Sequence, residues 1–230
     1  MTPNPQGVRP LPVDPAVLAC IRPMEFRDAA RVAELHHAAM GSSLWARLGV
    51  RFLAELYRGL VEDRRFLGFV FEEDGHVGGF IAGSTDAAAM MQAVFRARWF
   101  LLGPAALPGV LARPGVLRHL VQTARYFAVS QDDALDVPAE SLFCSFEPAL
   151  RGRRIAGLIN KVLFDDLLAR GHRYVKITTE TDNEGANRQL RSWGFEDRGT
   201  FTFYGKEMVR YVLDLEASPR VEPALRHPTV

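Results

Sequence analysis

Arg151, Gly152, Arg153 and Arg154 carry the densest chemistry in the chain. They stand where an apolar β-like run, residues 139–146, gives way to Ile155, Leu158, Ile159, Val162 and Leu163 on one helical face. A helix opening here presents its first unpaired peptide N–H groups and about half a positive charge, which suits a phosphate. Gly152 admits a ligand against the backbone, and three guanidinium groups add charge-assisted donors. The same residues also suit a basic loop leading into an ordinary crossover helix. The histidines and the two cysteines, Cys20 and Cys144, show no metal-ligand spacing, so no metal is expected. His36 and His37 could line an acceptor site, but adjacent helix positions point in different directions, which favours surface or packing roles. The pattern G-x-x-x-x-G-K-[ST] is absent and no glycine-rich fingerprint follows the first strand, which argues against a nucleotide-binding protein.

The elements that must position these residues follow from pattern. A short strand at 18–22 precedes a helix ended by Gly41; Ser42 or Ser43 then caps a helix whose stripe is Leu44, Leu48, Phe52, Leu56 and Leu60. Residues 66–73 and 76–84 flank Asp74-Gly75, the signature of a type I′ hairpin. Residues 86–138 form a helical insert broken into pieces by Pro104, Pro108 and Pro114. Between Asp86 and Ser130 it has Arg96, Arg98, Arg113, Arg118 and Arg125 against one acid, a charge balance suited to an anionic acceptor. A strand at 139–146, a helix ending at Gly171 and a strand at 172–180 demand a parallel crossover. A short helix, 184–193, capped by Asn183 and stopped by Gly194, leads to two closing strands, about 196–204 and 207–215. The expected class is α/β (α+β), with a mixed, mostly antiparallel central sheet containing one parallel splayed pair. Residues 1–17 and 217–230 read as flexible Pro-rich tails around a single domain, 18–216.

Two segments in this order resemble the GNAT superfamily of acyl-coenzyme A dependent N-acyltransferases. Arg151 and Ala156 fill the ends of the family's Arg/Gln-x-x-Gly-x-Gly/Ala loop, Gly152 matches its frequent Arg-Gly form, and Glu147-Pro148 precede it. Asn183, Ala186 and Gly194-Phe195 fit the second motif, Asn-x-x-Ala followed by Gly-Phe. The resemblance covers about 18 to 215. It implies acetyl-CoA as donor, with pantetheine pairing near Cys144 and Phe146, the pyrophosphate on the amides of Arg151, Gly152, Arg153, Arg154, Ile155, Ala156 and Gly157, and Asn183 and Ala186 near the other end of the arm. The acceptor is then a primary amine, expected on a small molecule. An alkylammonium has a pKa of about 10.4, so a base must take its proton; Glu140 is the first candidate and Glu180 the second. Two positions depart from the family. Arg154 stands where the loop has its middle glycine, and Leu190 where the family often has a tyrosine that protonates the leaving thiolate. Tyr204 and Tyr174 are the phenols nearest the motif strands. A non-catalytic acyl-coenzyme A binding or sensing domain is the alternative that Leu190 favours.

Composition sets outer limits. Of 230 residues, 48% are apolar and 24% charged with a net charge of +1, which excludes a disordered or fibrous chain. It also leaves no overall field for nucleic acid or an anionic membrane, so neither is an expected partner. Five prolines in the first fifteen residues and no apolar core there argue against a signal peptide. The longest uncharged apolar stretch, residues 99–112, falls short of the roughly 20 residues a bilayer span needs. Two distant cysteines fit a reducing cytoplasm, and a monomer or homodimer is expected.

Overall fold

Asp74 and Gly75 adopt φ angles of 52° and 76°, the positive pair that a type I′ turn requires. They join Phe66–Glu73 (β2) to His76–Ser84 (β3) in an antiparallel hairpin. The computed structural model describes residues 7–41, 43–112, 115, 137–203 and 205–222. The other strands are Ile21–Pro23 (β1), Glu140–Phe146 (β4), Tyr174–Glu180 (β5), Glu196–Phe203 (β6) and Lys206–Asp214 (β7). They build one seven-stranded sheet in the order β1-β2-β3-β4-β5-β7-β6, antiparallel except for β4 beside β5. The mixed sheet expected from the pattern is thus present.

The helices are Pro15–Ala19 (α1), Ala29–Ala39 (α2), Leu44–Arg47 (α3), Val50–Glu62 (α4), Ala87–Ala112 (α5), Ile155–Ala169 (α6) and Glu184–Trp193 (α7). Strand alternation sends Val70 and Phe80 to one face, under α2, α4 and α5, and Leu67 and Ile81 to the other, under α6 and α7. Two cores therefore clamp the sheet.

Three expectations change. The stripe from Leu44 to Leu60 is buried as expected, but it belongs to two helices, because Gly49 at φ 99° interrupts the backbone between them. The insert is not broken at Pro104 or Pro108. Pro104 and Pro108 lie inside α5, and the kink falls at Arg98 (φ −119°, ψ 17°). The far half of α5 is held by packing, with Leu102, Ala105, Ala106 and Val110 in the first core. Residues 113, 114 and 116–136, with Arg113, Pro114, Arg118 and Arg125, lie outside the described residues.

Parts of both expected tails are built into the fold. Asp14 accepts a hydrogen bond from the Ala16 amide at 3.0 Å and Pro15 takes the first helical position, so this Asp-Pro pair opens α1 and does not continue a coil. Leu11 joins the second core, and at the other end Val221 is buried while the Glu222 amide donates to Asp165 Oδ1 at 2.9 Å. Residues 1–6 and 223–230 lie outside the described residues.

Chain segments approach closely at Gly109 on α5, where a Cβ would stand 2.6 Å from the Arg47 carbonyl oxygen and 2.7 Å from Leu48 Cα. Backbone atoms cannot step aside as a side chain can. Gly109→Val is expected to cost about 3 kcal/mol and to lower the melting temperature by roughly 6–12 °C. A thermal melt within about 2 °C of the parent would contradict this packing.

Candidate functional site

The β4–β5 ladder consists of one rung. Glu140 faces Lys176, the Lys176 amide donates to the Ala139 carbonyl at 3.0 Å, and no further register pair joins the two strands. On its other side β4 stays paired with β3 as far as Phe146, but the register slips between Ala82 and Gly83, leaving Leu142 as an extra, bulged residue. Past the rung, β4 therefore turns a free edge of peptide groups toward β5. At the closed end Glu140 and Lys176 are 6% and 7% exposed, with Lys176 Nζ 4.0 Å from the carboxylate. Glu140 is a buried carboxylate facing an ammonium. Glu180, four residues along β5 from that rung, is more open and ion-paired with Lys206 at 2.5 Å.

β4 exits into the arginine loop through Glu147, whose amide donates to the Gly78 carbonyl at 2.8 Å. Its carboxylate pairs with Arg31 and lies 3.0 Å from His76 Nε2. A 3-10 turn, Pro148–Leu150, follows, then Gly152 at φ 82° and Arg154 at φ 61°, the N-cap of α6. Where a Cβ would stand on Gly152 nothing lies within 4 Å, so the mouth of the helix is open there. Arg154 is left-handed without being glycine, a conformation that costs on the order of 1–2 kcal/mol.

The loop residues divide into those that face outward and those turned to other work. Arg151 and Arg154 are exposed. Arg153, expected at the anion, instead donates to Glu73 at 2.5 and 2.7 Å and lies over the Phe71 ring, anchoring the loop to the hairpin. Ile155 is buried and offers only its amide. Gly157, also expected to face a ligand, makes room for Leu11, whose Cδ1 would be 3.3 Å from a Cβ at that position. The Ala156 carbonyl accepts from the Asn160 side chain at 2.7 Å. Burial pushes the Cys144 thiol up to about 12, against an opposing hydrogen bond from Asn160, so it is protonated at neutral pH. The Phe146 ring fills the space a side chain on Gly79 would need.

On the β5 side, Asn183 Oδ1 accepts from the Ala186 amide at 3.2 Å and caps α7. The buried Asn187 was missed in the sequence. Its Nδ2 donates to the carbonyls of Glu180 (3.0 Å), Thr181 (3.1 Å) and Asn183 (2.9 Å), locking the turn from β5 into α7. An asparagine four residues after a cap is its only sequence signal. Leu190 is buried in the second core. Tyr174 lies at the closed end of β5 with Arg173 over its ring, away from the open edge, and Tyr204 lies outside the described residues. Arg98 is paired with Glu62 at 2.7 Å, which removes it from the set suited to an anionic acceptor. A cavity of about 230 Å³ is lined by Tyr174, Trp193 and Asp214; it too lies at the closed end.

The packing reading holds for His36, which lies beneath β4. His36 is fully buried, with Nδ1 2.8 Å from the Tyr57 hydroxyl and its ring 4.7 Å from that of Phe143, the residue after the bulge. Its Nε2 has no hydrogen-bond partner among the described residues. Position 36 is four residues after Val32, so helical spacing could have placed it inward. Among the described residues no helix is long and apolar enough to cross a membrane, and no group of three or more His, Cys, Asp and Glu is placed to hold a metal ion.

No family model matches the chain and no curated protein matches it in sequence. Solved structures do match it in fold. A mutant apo form of agmatine N-acetyltransferase gives a TM-score of 0.59 at 15% identity over 85% of this chain and 98% of that one. Polyamine N-acetyltransferase of Drosophila melanogaster gives 0.57 at 14% over 85% and 99%. The protein yncA of Salmonella typhimurium, solved with its cofactor acetyl-CoA, gives 0.54 at 15% over 90% and 98%. The chain has the GNAT acetyltransferase fold.

Burial, reinforced by His37, pushes His36 down to about 4. The unfolded chain takes up a proton on this residue below about pH 6.5, which the folded chain refuses until lower pH. Its stabilising effect is complete above that value and is lost as pH falls toward 4. Between pH 7 and 4.5 the stability advantage of the wild type over His36→Gln should shrink by about 2–3 kcal/mol in denaturant unfolding. An advantage that stays constant would contradict a buried neutral imidazole.

Proposed function

We propose that the chain is an acetyl-CoA dependent N-acetyltransferase acting on a primary amine of a small molecule, by direct transfer in a ternary complex. One observation carries this reading: the free edge of β4 leads, through Glu147, the turn Pro148–Leu150 and the arginine loop, to the open first turn of α6. Such a path suits a ligand with a long amide-bearing arm ending in a pyrophosphate. The acetyl-CoA held by yncA, and the polyamine and agmatine in the names of the other two structures, support the donor and the acceptor class.

When bound, acetyl-CoA supplies the activated acyl thioester. The peptide groups of Cys144 and Phe146 pair with its arm, while Arg151, Gly152 and Arg154 with the amides of Ile155 and Ala156 receive the pyrophosphate. Asn183 and Ala186 shape the opposite wall. Glu140 takes the proton of the acceptor ammonium, with Lys176 compensating its charge in the buried end of the groove. Glu180, tied to Lys206, is the second candidate. The protonated Cys144 thiol favours direct transfer over an acyl-enzyme. Leu190 offers no acid, but a thiol with a pKa of about 8.5 departs as the anion without one. Leu190 is also what favours the second reading, an acyl-coenzyme A binding domain without turnover. Thiol release from acetyl-CoA across a panel of polyamines, amino sugars, amino acids and peptides separates the two.

Two variants test the assignments. Gly152→Asn tolerates the positive φ without adding charge, whereas Gly152→Asp sets a carboxylate at the anion site. Calorimetry should give the Asp variant at least about tenfold weaker acetyl-CoA binding than the Asn variant, the equivalent of roughly 1.4 kcal/mol. Equal affinities in two folded variants would remove the loop from the site. Glu140→Gln should lower kcat by about 10²-fold or more with acetyl-CoA affinity nearly unchanged. Full kcat in that variant would move the base to Glu180 or to water.

A further inference from the structure

The C-terminal half of α5 leaves an apolar face open. Trp99 and Leu111 are each 71% exposed, Phe100 55% and Leu107 54%, and the sequence holds no charged residue from Trp99 to Ala112. Trp99 and Phe100 meet edge to face, ring centroids 6.3 Å apart, so they form one aromatic step on the surface. Gly103 stands one helical turn from Trp99 and one from Leu107. Outside its chain neighbours a Cβ there would meet nothing within 4 Å, and no positive φ calls for glycine. Gly109 is explained by contact within the chain. Gly103 precedes Pro104 inside α5, where glycine relieves the crowding that a proline ring imposes on the residue before it; in the middle of an exposed apolar face it also lets another backbone approach closely.

We propose that this face is the seam of a homodimer, in which α5 packs against α5 of a second copy in antiparallel orientation, crossing at Gly103. A two-fold axis through Gly103 lays the aromatic step of each copy on Leu107 and Leu111 of the other, so the surface complements itself. Trp99, Gly103, Leu107 and Leu111 form an i, i+4 row, the ridge used in the commonest class of helix packing. At roughly 150–250 Å² per large apolar side chain these residues leave on the order of 500 Å² open per copy. Two copies then bury about 1,000 Å², the lower bound for a specific interface. Among the described residues the face has few cations for a lipid surface: Arg96 borders it, and Arg98 is held by Glu62 and Glu55.

Sedimentation velocity of the full chain between about 1 and 100 µM should show a monomer–dimer equilibrium, as expected of an interface at the small end of the specific range. Leu107→Glu and Trp99→Glu should each raise the dissociation constant at least about tenfold with far-UV circular dichroism unchanged. Trp99 is 71% exposed, so Trp99→Glu keeps the test decisive if Leu107→Glu fails to fold. Gly103→Cys should cross-link to itself on mild oxidation. A monomer at every concentration, or a dimer indifferent to both substitutions, would overturn the proposal. A monomer that pellets with phosphatidylserine vesicles would overturn it too and give the face to a lipid surface.

Discussion

Parallel strands joined by a crossover helix ordinarily keep their ladder, because each buried peptide group left without a partner costs on the order of 1–3 kcal/mol. Here the ladder between β4 and β5 stops after Glu140 and Lys176, and the rest of the site depends on that interruption. Each strand is held from outside the gap. β5 is paired with β7 along its whole length, from Tyr174 to Glu180, and β4 with β3 from Glu140 to Phe146. The strand exits are also tied off in opposite directions. Glu147 binds the end of β4 to Arg31, His76 and Gly78, while Asn187 binds the end of β5 to the first turn of α7. Closing the gap would mean breaking both sets.

The anion cradle is likewise fixed before any ligand arrives. Ile155 is buried, Leu11 packs against Gly157, and Arg153 is paired with Glu73, so the mouth of α6 is tied to its surroundings at three points. This packing can hold Arg154 in its left-handed conformation. An arrangement ordered by its own packing loses little freedom on binding, which favours affinity from few contacts.

Much of this was legible in the sequence where one signal acted alone. Asp74-Gly75 dictates its hairpin through φ, and Gly171 and Gly194 end their helices at φ 86° and 88°. Legibility failed where signals competed. Pro104 and Pro108 read as helix breakers, yet tertiary packing carries α5 through them, and Gly49 interrupts a stripe whose periodicity runs on unbroken. Asp14-Pro15 is a helix start hidden in a proline-rich run. In the site, the glycine-arginine loop stood out because residue type and position agreed. The division of labour among its members did not, since nothing in the sequence says that Glu73, eighty residues earlier, has claimed Arg153. Asn187 and the His36–Tyr57 couple were hidden for the same reason, their partners being set by the fold.

The central claim is that the free edge of β4 and the first turn of α6 form one binding surface for acetyl-CoA. Amide hydrogen exchange with and without acetyl-CoA tests it most directly, because the amides concerned belong to neither a β4–β5 ladder nor the interior of the helix. The account predicts slower exchange in residues 142–146 and 152–156 on adding acetyl-CoA, with little change in the hairpin 66–84. Unchanged exchange in both segments at saturating acetyl-CoA, or protection confined to the cavity beside Tyr174 and Trp193, would contradict it.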